Sequence, residues 1–518
     1  MNASSGGSAE HDAGPGHLER EVKLAAWPGF ALPDLDRVVP WVNAGAASED
    51  VLDAVYVDTP DLRLVRWGIT VRHRQGGGED GWTVKLPSFD GTEGSAGGLA
   101  RAEHAFPGDV AAVPPGALEL LRAFVRRAEL GPVAHLHTRR RTLALLDGGG
   151  RPVGEVDDDE VSVLDGERVA ARFREIEVEI GPSVPATLLD AVVARLREAG
   201  AGAPDPTPKL VRALGPRALA APEVSSPELG DEATVGDVVR HAMASGVRRI
   251  LVHDPLVRLD TGAEAVHQMR VGTRRLRSDL RTFHRVLEPG WADGWRDELK
   301  WLAGVLGEVR DADVLDERLC AACRQLDRTD TAHATILLRR LGGHRAAAYE
   351  RLSAALQADR YVALLDQLVA AAAAPALVAE AEEPAREALP ELVRKPWRKL
   401  VEEVAGLPDD PPDEALHHVR IRAKRARYAA EAASVVVPKA ARHAKAIAGL
   451  QGVLGDHHDA VVAEQWLRSE AAELHGSDAV AAGVLVAAQR ADAARLRGEW
   501  RSAWKEASRR KVAGWLHG

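Results

Sequence analysis

The alternation of polar and apolar residues changes character once along the chain. Up to about residue 214, short segments alternate with a period of two, as β-strands do. From residue 234 onward, apolar residues recur every three or four positions, which predicts helices. Residues 215–233 are rich in Pro, Ala, Ser and Gly and have neither period. The pattern therefore predicts a strand-rich domain over 17–214, a linker over 215–233 and a helical domain over 234–518.

The strand-rich part begins with Glu19-Arg20-Glu21-Val22-Lys23, in which one strand face would carry only charged side chains. Later segments repeat a charged stripe on one face and place aliphatic residues on the other. These further strands are predicted at 54–58, 68–74, 82–86, 101–106, 136–146, 153–164 and 173–180. A helix is predicted over residues 32–47, and an amphipathic helix near residues 188–196 would close the domain.

Charged stripes on so many strands predict a closed barrel with a polar lumen, because inward and outward residues alternate along every strand of a barrel. The basic stripes would chelate a polyanion, and arginine suits phosphate because its guanidinium donates as a fork. These basic residues are Lys23, Arg72, Arg74, Lys85, Arg139 and Arg141. The acidic stripes would repel phosphate unless Mg²⁺ or Mn²⁺ bridged the two. The alternative is that acidic and basic stripes neutralise each other as salt bridges between strands.

The ordered set of motifs resembles the CYTH, or triphosphate tunnel metalloenzyme, family over residues 17 to about 214. The motifs are Glu19-x-Glu21-x-Lys23, Tyr56-Val57-Asp58-Thr59-Pro60, Arg72-x-Arg74, Thr83-x-Lys85, Arg101-x-Glu103 and Glu175-x-Glu177. The resemblance implies an eight-stranded antiparallel β tunnel with flanking helices. It also implies that the tunnel binds triphosphate or longer chains and hydrolyses them with Mg²⁺ or Mn²⁺.

The same resemblance implies roles for individual residues. Glu19, Glu21, Glu175 and Glu177 would hold the metal, with Asp157 assisting, and the lysines and arginines would bind phosphate. Lys209 would join the phosphate-binding set, although Pro208-Lys209 stands where the family has Ser-Lys, so the serine contact is missing. The implied catalytic residues are Glu19, Glu21, Lys23, Glu175 and Glu177.

The helical part contains a basic helix face that occurs twice. Its first copy consists of His267, Arg270, Arg274, Arg277 and Arg281, and its second of His417, Arg420, Lys424 and Arg427. Spacings of three and four put each set on one side of its helix, where like charges repel unless an anion lies against them. Residues 302–313 and 450–461 also match each other. The repetition predicts two pseudo-symmetric four-helix bundles, over about 234–373 and 384–518.

This half resembles the CHAD, or conserved histidine α-helical, domain. The resemblance rests on two His-x-x-Arg-x-x-x-(Arg/Lys)-x-x-Arg motifs and two Leu-Gly-x-x-x-Asp segments. It implies that the basic faces bind inorganic polyphosphate and that the protein associates with polyphosphate granules. Nucleic acid is the alternative anion, but the helices carry no DNA-reading motif and no interleaved aromatic residues. His457 and His458 are predicted to lie at a helix–turn position, in preference to a metal site.

Composition adds the compartment and the class of protein. The chain has 518 residues, a formal net charge of −10 and 28% charged residues, which is typical of a soluble protein of several domains. Its two cysteines, Cys320 and Cys323, are too few for a zinc tetrad and suit a reducing cytoplasm. The first sixteen residues contain no apolar signal segment. We therefore expect a cytoplasmic protein with no membrane partner and no sequence-specific nucleic acid partner.

These features predict an α+β enzyme that hydrolyses triphosphate or polyphosphate with a divalent metal, while its helical half binds polyphosphate. One alternative is a polyphosphate-binding protein without catalysis. Another is a nucleotide triphosphatase or cyclase that uses the same tunnel. The carboxylates favour hydrolysis, since a simple polyanion binder gains nothing from acidic residues in its lumen.

Overall fold

A computed structural model describes residues 20–78, 80–87 and 101–516 of the chain, without the side chain of Arg101. Glu19, which the sequence places in the metal and catalytic sets, lies outside the described residues. The chain forms two compact units, of which the first ends at Pro222 and the second comprises Glu223–Gly518.

Within the described residues, the first unit contains eight strands and four helices. The strands are β1 (Arg20–Ala26), β2 (Val42–Asp58), β3 (Thr70–Gln75), β4 (Gly81–Pro87), β5 (Arg101–Phe106), β6 (Gly131–Asp147), β7 (Pro152–Asp165) and β8 (Arg168–Ile180). The helices are α1 (Arg63–Arg66), α2 (Pro115–Val125), α3 (Ala186–Glu198) and α4 (Lys209–Leu214).

The eight strands form one antiparallel sheet in the order β1-β8-β7-β6-β2-β3-β4-β5. The prediction of eight antiparallel strands is confirmed, but the sheet curls into a half-barrel, and no pairing closes it within the described residues. The outer edge of β1 is already occupied, because the Gly202 N–H donates to the Ala25 carbonyl at 2.8 Å and the Asp205 N–H to the Lys23 carbonyl at 2.9 Å. The closed barrel is therefore corrected to an open, curled sheet, one edge of which is covered by the chain that leads into α4.

The convex face of the sheet carries the apolar residues that alternate with the charged stripes. Val22, Ile176 and Val178 are buried there against α3, which contributes Leu188 and Val192 among other residues. Burying these side chains stabilises the sheet by about 1.5–3 kcal/mol for each large aliphatic residue. The same alternation turns the intervening charged residues toward the concave face.

The predicted helix over residues 32–47 is wrong. No helix is present there in the described chain, and β2 begins at Val42 and pairs with β6 as far as Asp58. The four alanines between 44 and 54 favour a helix by propensity, but β6 takes the hydrogen bonds of this backbone, so pairing overrides propensity. A register shift between Ala44 and Ala47 adjusts the long hairpin.

The second unit is helical, as predicted. Its helices in the described residues are α5 (Val235–Arg258), α6 (Ala263–Thr282), α7 (Asp293–Cys323), α8 (Arg328–Gln357), α9 (Asp359–Ala373), α10 (Ala385–Ala405), α11 (Asp413–Ser434), α12 (Pro438–Ala471), α13 (Gly476–Ala507) and α14 (Arg510–Ala513). The first of them begins at a capping box, in which Thr234 and Asp237 each accept a backbone hydrogen bond from the other.

The order of the helices repeats along the second unit. Helices α5 to α8 have counterparts in α10 to α13, and consecutive helices within each set contact each other. The two basic helices of the sequence are α6 and α11, which also contact each other. In the part of the chain that the structure describes, no helix is both long and apolar enough to cross a bilayer.

Candidate functional site

Alternate residues of the strands line the concave face of the half-barrel around a cavity of about 670 Å³. Most of the acidic residues in this lining belong to β1, β7 and β8, which are consecutive in the sheet. Arg72, Arg74 and Lys85, here called the basic wall, belong to β3 and β4 on the other side. The concave face therefore places an environment for cations beside an environment for anions.

Three carboxylates converge on the acidic side. Asp159, Glu175 and Glu177, here called the acidic cluster, each offer an oxygen that lies within 4.8 Å of the others. The register of β7 and β8 explains the convergence, since Asp159 pairs with Glu175 across the two strands. The ammonium of Lys209, on the first turn of α4, lies 2.9 Å from Asp159 and 2.8 Å from each glutamate.

The acidic cluster fits a hard divalent cation. It consists of carboxylate oxygens alone, which are the ligands that Mg²⁺ and Mn²⁺ prefer, and a cation already lies among them in the form of the Lys209 ammonium. Burial raises the pKa of Glu175. Burial acts in the same direction on Glu177, but the charges of Lys209, Lys23 and Arg140 outweigh it and hold the pKa of Glu177 well below its usual value. The cluster therefore keeps a negative charge for a cation to bind.

Arg140 links the acidic strands to the rest of the cavity. Its guanidinium donates to Asp159 at 2.7 and 2.8 Å and lies 2.5 Å from Asp157 and 3.1 Å from Glu177. These contacts explain why its pKa is raised despite burial, which acts in the opposite direction. Arg140 is positioned to fix the carboxylates and to present the remaining donor capacity to the cavity.

The prediction that Arg139 and Arg141 point into the lumen is wrong. Both side chains are exposed on the convex side, whereas Thr138, Arg140 and Thr142 line the cavity. Three consecutive arginines give both faces of β6 the same charge, so the charges alone do not identify the inward face. The inward face is identified by Leu143 and Leu145, which pack into the core on the convex side. Arg139 and Arg141 are separated from these leucines by even numbers of residues, so they lie on the same, convex face of the strand.

The predicted residues Glu21, Lys23 and Asp157 do lie at the cavity. The Lys23 ammonium contacts Glu177 and lies 3.4 Å from Glu21. Asp157 accepts a hydrogen bond of 2.6 Å from Thr142, and burial, partly offset by Arg140, raises the pKa of Asp157 to about 6. The inter-strand salt bridges of the alternative interpretation are thus present in the protein, with Lys23, Arg140 and Lys209 as their cations.

The basic wall lies opposite one acidic residue that carried no assigned role. Glu103 of β5 pairs with Lys85 across the strands, and their charged groups are 2.6 Å apart. Arg72 lies 3.9 Å from the same carboxylate. Burial, followed by the charges of Arg72 and Arg140, lowers the pKa of Arg74. The wall therefore concentrates positive charge, and an anion bound against it would relieve the repulsion.

Sequence reasoning assigned no individual role to three side chains of this site: Asp159, Arg140 and Glu103. Asp159 shares its face with Asp157, so the same two-residue alternation identifies it. Glu103 stands in the Arg101-x-Glu103 motif, and only the pairing of β4 with β5 brings it to Lys85. The inward orientation of Arg140 follows only from its alternation with Leu143 and Leu145, which lie on the opposite face of the strand.

In the second unit, α6 and α11 bring four basic side chains together: Arg270, Arg274, Arg420 and Lys424, here called the basic cluster. Arg274 donates to the Tyr428 hydroxyl across the two helices at 2.7 Å. The arrangement is similar in both halves of the repeat. The Arg270 guanidinium packs over Gly307, where its Nε would lie 3.6 Å from a Cβ built on that glycine, and the Arg420 guanidinium packs over Gly455 with a corresponding distance of 3.7 Å. These glycines are equivalent positions of the sequence repeat.

The electrostatics of the basic cluster favour an anion. Burial, followed by the charges of Arg274, Arg420 and Arg270, lowers the pKa of Lys424 to about 6. The buried Nε atoms of Arg270, Arg274 and Arg420 have no hydrogen-bond partner among residues 20–78, 80–87 and 101–516. Buried donors without partners are costly, and an anion would satisfy them.

The remaining predicted residues of the basic faces take different positions. The His417 ring lies beside that of His458, with ring centroids 4.4 Å apart. The pKa of His267 is lowered by burial and, next, by the charge of Arg310. Arg427 donates to Glu431 at 2.8 Å. Arg281 and its neighbour Arg277 lie at the C-terminal end of α6, and Arg281 lines a separate cleft.

The prediction that His457 and His458 occupy a helix–turn position is wrong, because both lie in the middle of α12. His457 is buried, and its Nε2 is 3.3 Å from Asp413. Burial, followed by Arg420 and His417, lowers the pKa of His458 to about 4. His458 therefore belongs to the surroundings of the basic cluster, whereas His457 lies near Asp413.

Comparison with known proteins identifies the two units. A CYTH domain matches residues 17–208, and a CHAD domain matches residues 241–468. An uncharacterized protein of Mycobacterium tuberculosis is 34% identical over 503 residues, which cover 90% of this chain and 92% of that relative. PptA from Streptomyces chartreusis shares 26% identity, with a TM-score of 0.46, over 53% of this chain and 100% of that one. The CHAD domain from the plant Ricinus communis shares 25% identity, with a TM-score of 0.42, over 57% of this chain and 96% of that one.

Proposed function

Given that this chain is a CYTH–CHAD protein, we propose that its CYTH domain hydrolyses inorganic triphosphate or polyphosphate with Mg²⁺ or Mn²⁺, and that its CHAD domain binds polyphosphate. The CYTH family includes triphosphatases. The observation that carries the proposal for this chain is the division of the concave face into an acidic cluster and a basic wall. A phosphate chain with its cation needs both environments within a few ångströms of each other.

Asp159, Glu175 and Glu177 would hold the cation, and Glu21 and Asp157 would assist from neighbouring strands. When bound, the metal would activate water and neutralise charge on the phosphoryl group that is transferred. The Lys209 ammonium, which contacts all three carboxylates, would leave them and turn to the phosphate chain when a metal binds. Exchange of one cation for another keeps the buried charges compensated throughout.

Arg72, Arg74 and Lys85 would bind the phosphates, and Lys23 and Arg140 would lie where the chain meets the carboxylates. Arginine forks bind phosphate oxygens in pairs, which fixes the orientation of the terminal phosphorus for attack by water. The same cations would stabilise the charge that develops on the leaving phosphate. These roles need no residue outside the cavity.

The test is phosphate release by the purified full chain from tripolyphosphate, long-chain polyphosphate and ATP, each with Mg²⁺, with Mn²⁺ and with EDTA. We expect metal-dependent release of phosphate from inorganic tripolyphosphate or polyphosphate. Binding without metal-dependent release would favour the non-catalytic alternative. Cyclic nucleotide formed from ATP would favour the cyclase alternative, which uses the same carboxylates.

The proposal for the CHAD domain rests on the basic cluster, in which the buried Nε donors of three arginines lack hydrogen-bond partners within the described chain. Inorganic polyphosphate supplies regularly spaced oxygens and needs no sequence-specific contacts, so it suits a cluster built only from cations. Because both domains belong to one chain, binding at the CHAD domain would raise the effective concentration of substrate at the CYTH domain.

Charge reversal at the centre of the basic cluster should weaken polyphosphate binding. For the full chain with Arg270→Glu and Arg420→Glu, we expect the Kd for long-chain polyphosphate to rise by about tenfold or more, since two attractions become repulsions. The measurement is fluorescence anisotropy of labelled polyphosphate. Reversal of Arg339 and Arg442, which are exposed on α8 and α12 outside the cluster, is the matched control. Equal loss in both double variants would count against the assignment.

Polyphosphate binding should take up a proton at Lys424. The pKa of Lys424 in the free protein is lowered to about 6 by burial and then by Arg274, Arg420 and Arg270, so its amine is neutral at pH 8. A bound anion favours the charged form, raises the pKa and makes affinity increase as the pH falls toward 6, by up to about tenfold per pH unit.

The measurement is calorimetry of polyphosphate binding in buffers of different ionisation enthalpy at pH 7.5. We expect the wild type to take up more protons than Lys424→Met, in which the amine is absent and the nearby histidines remain. The same proton uptake by both proteins would show that Lys424 does not gain a proton on binding.

A further inference from the structure

Two imidazoles and a carboxylate meet on the convex face of the sheet, away from the cavity. Asp53 of β2 stands directly opposite His137 of β6 in the register, and His135 precedes His137 by two residues, so all three share one face. The residues that alternate with them line the cavity instead: Leu52, Ala54, Leu136 and Thr138. Because β2 and β6 are the two central strands in the sheet order, the group lies midway between the edges.

Both imidazoles approach the same carboxylate oxygen. The Nε2 of His135 lies 3.2 Å and the Nδ1 of His137 lies 3.3 Å from Oδ1 of Asp53. These separations are at the long end for a hydrogen bond, but they match ligands that share a tetrahedral metal, because bonds of about 2.0–2.1 Å place neighbouring ligand atoms about 3.3 Å apart. Two of the three spacings between ligands of a metal site are therefore already present.

The third spacing, between the two imidazoles, is wider. In the described structure the group does not meet the mutual spacing of the acidic cluster, in which every ligand atom lies within 4.8 Å of the others, so the rings must turn toward each other when a metal binds. The side chains of His135, His137 and Asp53 are 41%, 38% and 44% exposed, so solvent surrounds them on one side. Side chains at such positions change rotamer within nanoseconds, which makes the required rotation easy.

The donor atoms select the class of metal. Imidazole nitrogen suits Zn²⁺, Cu²⁺, Ni²⁺ and Fe²⁺, whereas Mg²⁺ prefers oxygen ligands. Two imidazoles with one carboxylate are also the protein ligands of many zinc sites that keep a further position for water. The convex group therefore differs in chemistry from the acidic cluster, which lies on the other face of the same sheet and consists of carboxylates alone.

The neighbouring positions on this face tolerate a bound cation. On the strands that flank β2 and β6, the register places the uncharged residues Gln75 and Ser162 beside the group. The next residue of β6 on the convex face is Arg139, and Glu160 of β7 stands opposite it. The positive charge closest along the strand is thus accompanied by a carboxylate.

We propose that Asp53, His135 and His137 form a second metal site, for Zn²⁺ or another divalent transition ion that prefers imidazole. A bound ion would join β2 to β6 through their side chains, in addition to the pairing of their backbones. It would stabilise the folded sheet by mass action, since the unfolded chain does not hold the three ligands together. The site is on the opposite face from the acidic cluster, so it does not depend on hydrolysis in the cavity.

Histidine footprinting of the untagged full chain tests the proposal at the site itself. The protein is treated briefly with diethyl pyrocarbonate in excess Mg²⁺, with and without Zn²⁺, and each histidine is quantified by mass spectrometry. We expect Zn²⁺ to slow modification of His135 and His137 by about fivefold or more, because a metal-bound nitrogen cannot attack the reagent. His284 and His475 are exposed and outside the group, and their modification should not change. Equal modification of His135 and His137 with and without Zn²⁺ would overturn the proposal.

Replacing the carboxylate tests whether it is a ligand. Asp53→Asn keeps the size of the side chain and an acceptor for the imidazoles but removes the charge. The Kd for Zn²⁺, measured by calorimetry in excess Mg²⁺, should therefore rise by about tenfold or more. Glu49→Gln is the matched control, since Glu49 is exposed four residues earlier on β2, and it should bind Zn²⁺ like the wild type. Unchanged affinity in Asp53→Asn would show that the carboxylate only accepts hydrogen bonds, and the site as proposed would be refuted.

Two double variants and one single variant separate a built site from scattered binding. His135→Gln with His137→Gln should weaken Zn²⁺ binding by about a hundredfold or more, whereas His284→Gln with His475→Gln removes as many imidazoles and should leave it unchanged. Equal loss in both would show adventitious surface binding only. In Glu177→Gln the protection of His135 and His137 should persist, and its loss there would assign the effect of Zn²⁺ to the acidic cluster. Circular dichroism reports whether each variant folds.

Discussion

Replacing Glu177 by glutamine should reduce metal-dependent phosphate release from tripolyphosphate by about a thousandfold in kcat/KM. The substitution keeps the size of the side chain and removes a charge that is balanced by Lys23, Lys209 and Arg140. It would leave the acidic cluster with two carboxylates and three neighbouring cations, so a divalent metal would be repelled. The measurements are steady-state phosphate release and Mn²⁺ binding by calorimetry.

The matched control for this prediction is Glu160→Gln on the neighbouring strand. Glu160 is exposed and lies opposite Arg139, outside the cavity, so its loss should change the rate by less than about twofold. Circular dichroism and thermal unfolding report whether each variant folds, and Mn²⁺ affinity separates a lost metal site from a misfolded protein. Wild-type turnover by folded Glu177→Gln would show that the acidic cluster is not the metal site.

The arginines of β6 provide a second large effect and a test of which face points inward. Arg140→Gln should lower kcat/KM for tripolyphosphate by about a hundredfold, because it removes the donor that orients Asp157 and Asp159. We also expect a lower melting temperature, since two buried carboxylates lose one of their partners.

Arg139→Gln is the control for Arg140→Gln, one residue away on the same strand. Its side chain is exposed on the convex face, so activity and melting temperature should stay close to those of the wild type. If Arg139→Gln were the damaging substitution and Arg140→Gln the silent one, the inward face of β6 would be the one predicted from the sequence alone.

The resemblance of both halves to known families, inferred from short ordered motifs, is confirmed by the domain matches. Two-residue alternation correctly predicted the strands that carry Lys23, Arg72 and Glu177, and the strands of Lys23 and Glu177 each have one clearly aliphatic face. Three-and-four spacing likewise predicted the helices that carry Arg270 and Arg420. Local periodicity was sufficient where one face of an element is uniform.

Local periodicity failed where neighbouring residues are alike or where pairing decides the outcome. Three successive arginines hide the inward face of β6, and the alanines at the start of β2 favour a helix until β6 pairs with them. The prediction of a closed barrel was wrong for a similar reason, because residues 202–205 form hydrogen bonds to the outer edge of β1. These contacts join positions far apart in sequence, so no short window contains them.

The convergence of Asp159, Glu175, Glu177 and Lys209 also depends on long-range pairing. The register of β7 with β8 brings the carboxylates together, and the turn before α4 delivers the lysine. Sequence spacing suggested a metal site on this sheet but assigned it in part to the first strand. In the described structure, the residues that converge come from the last two strands instead.

Anomalous diffraction at the manganese absorption edge tests the central claim most directly. Crystals of the full chain would contain Mn²⁺ and a non-hydrolysable imidotriphosphate. We predict a manganese peak among Asp159, Glu175 and Glu177, with Lys209 turned away from them and the phosphates against Arg72, Arg74 and Lys85. A phosphate chain bound in the cavity without manganese at these carboxylates, or manganese bound only elsewhere, would contradict the account.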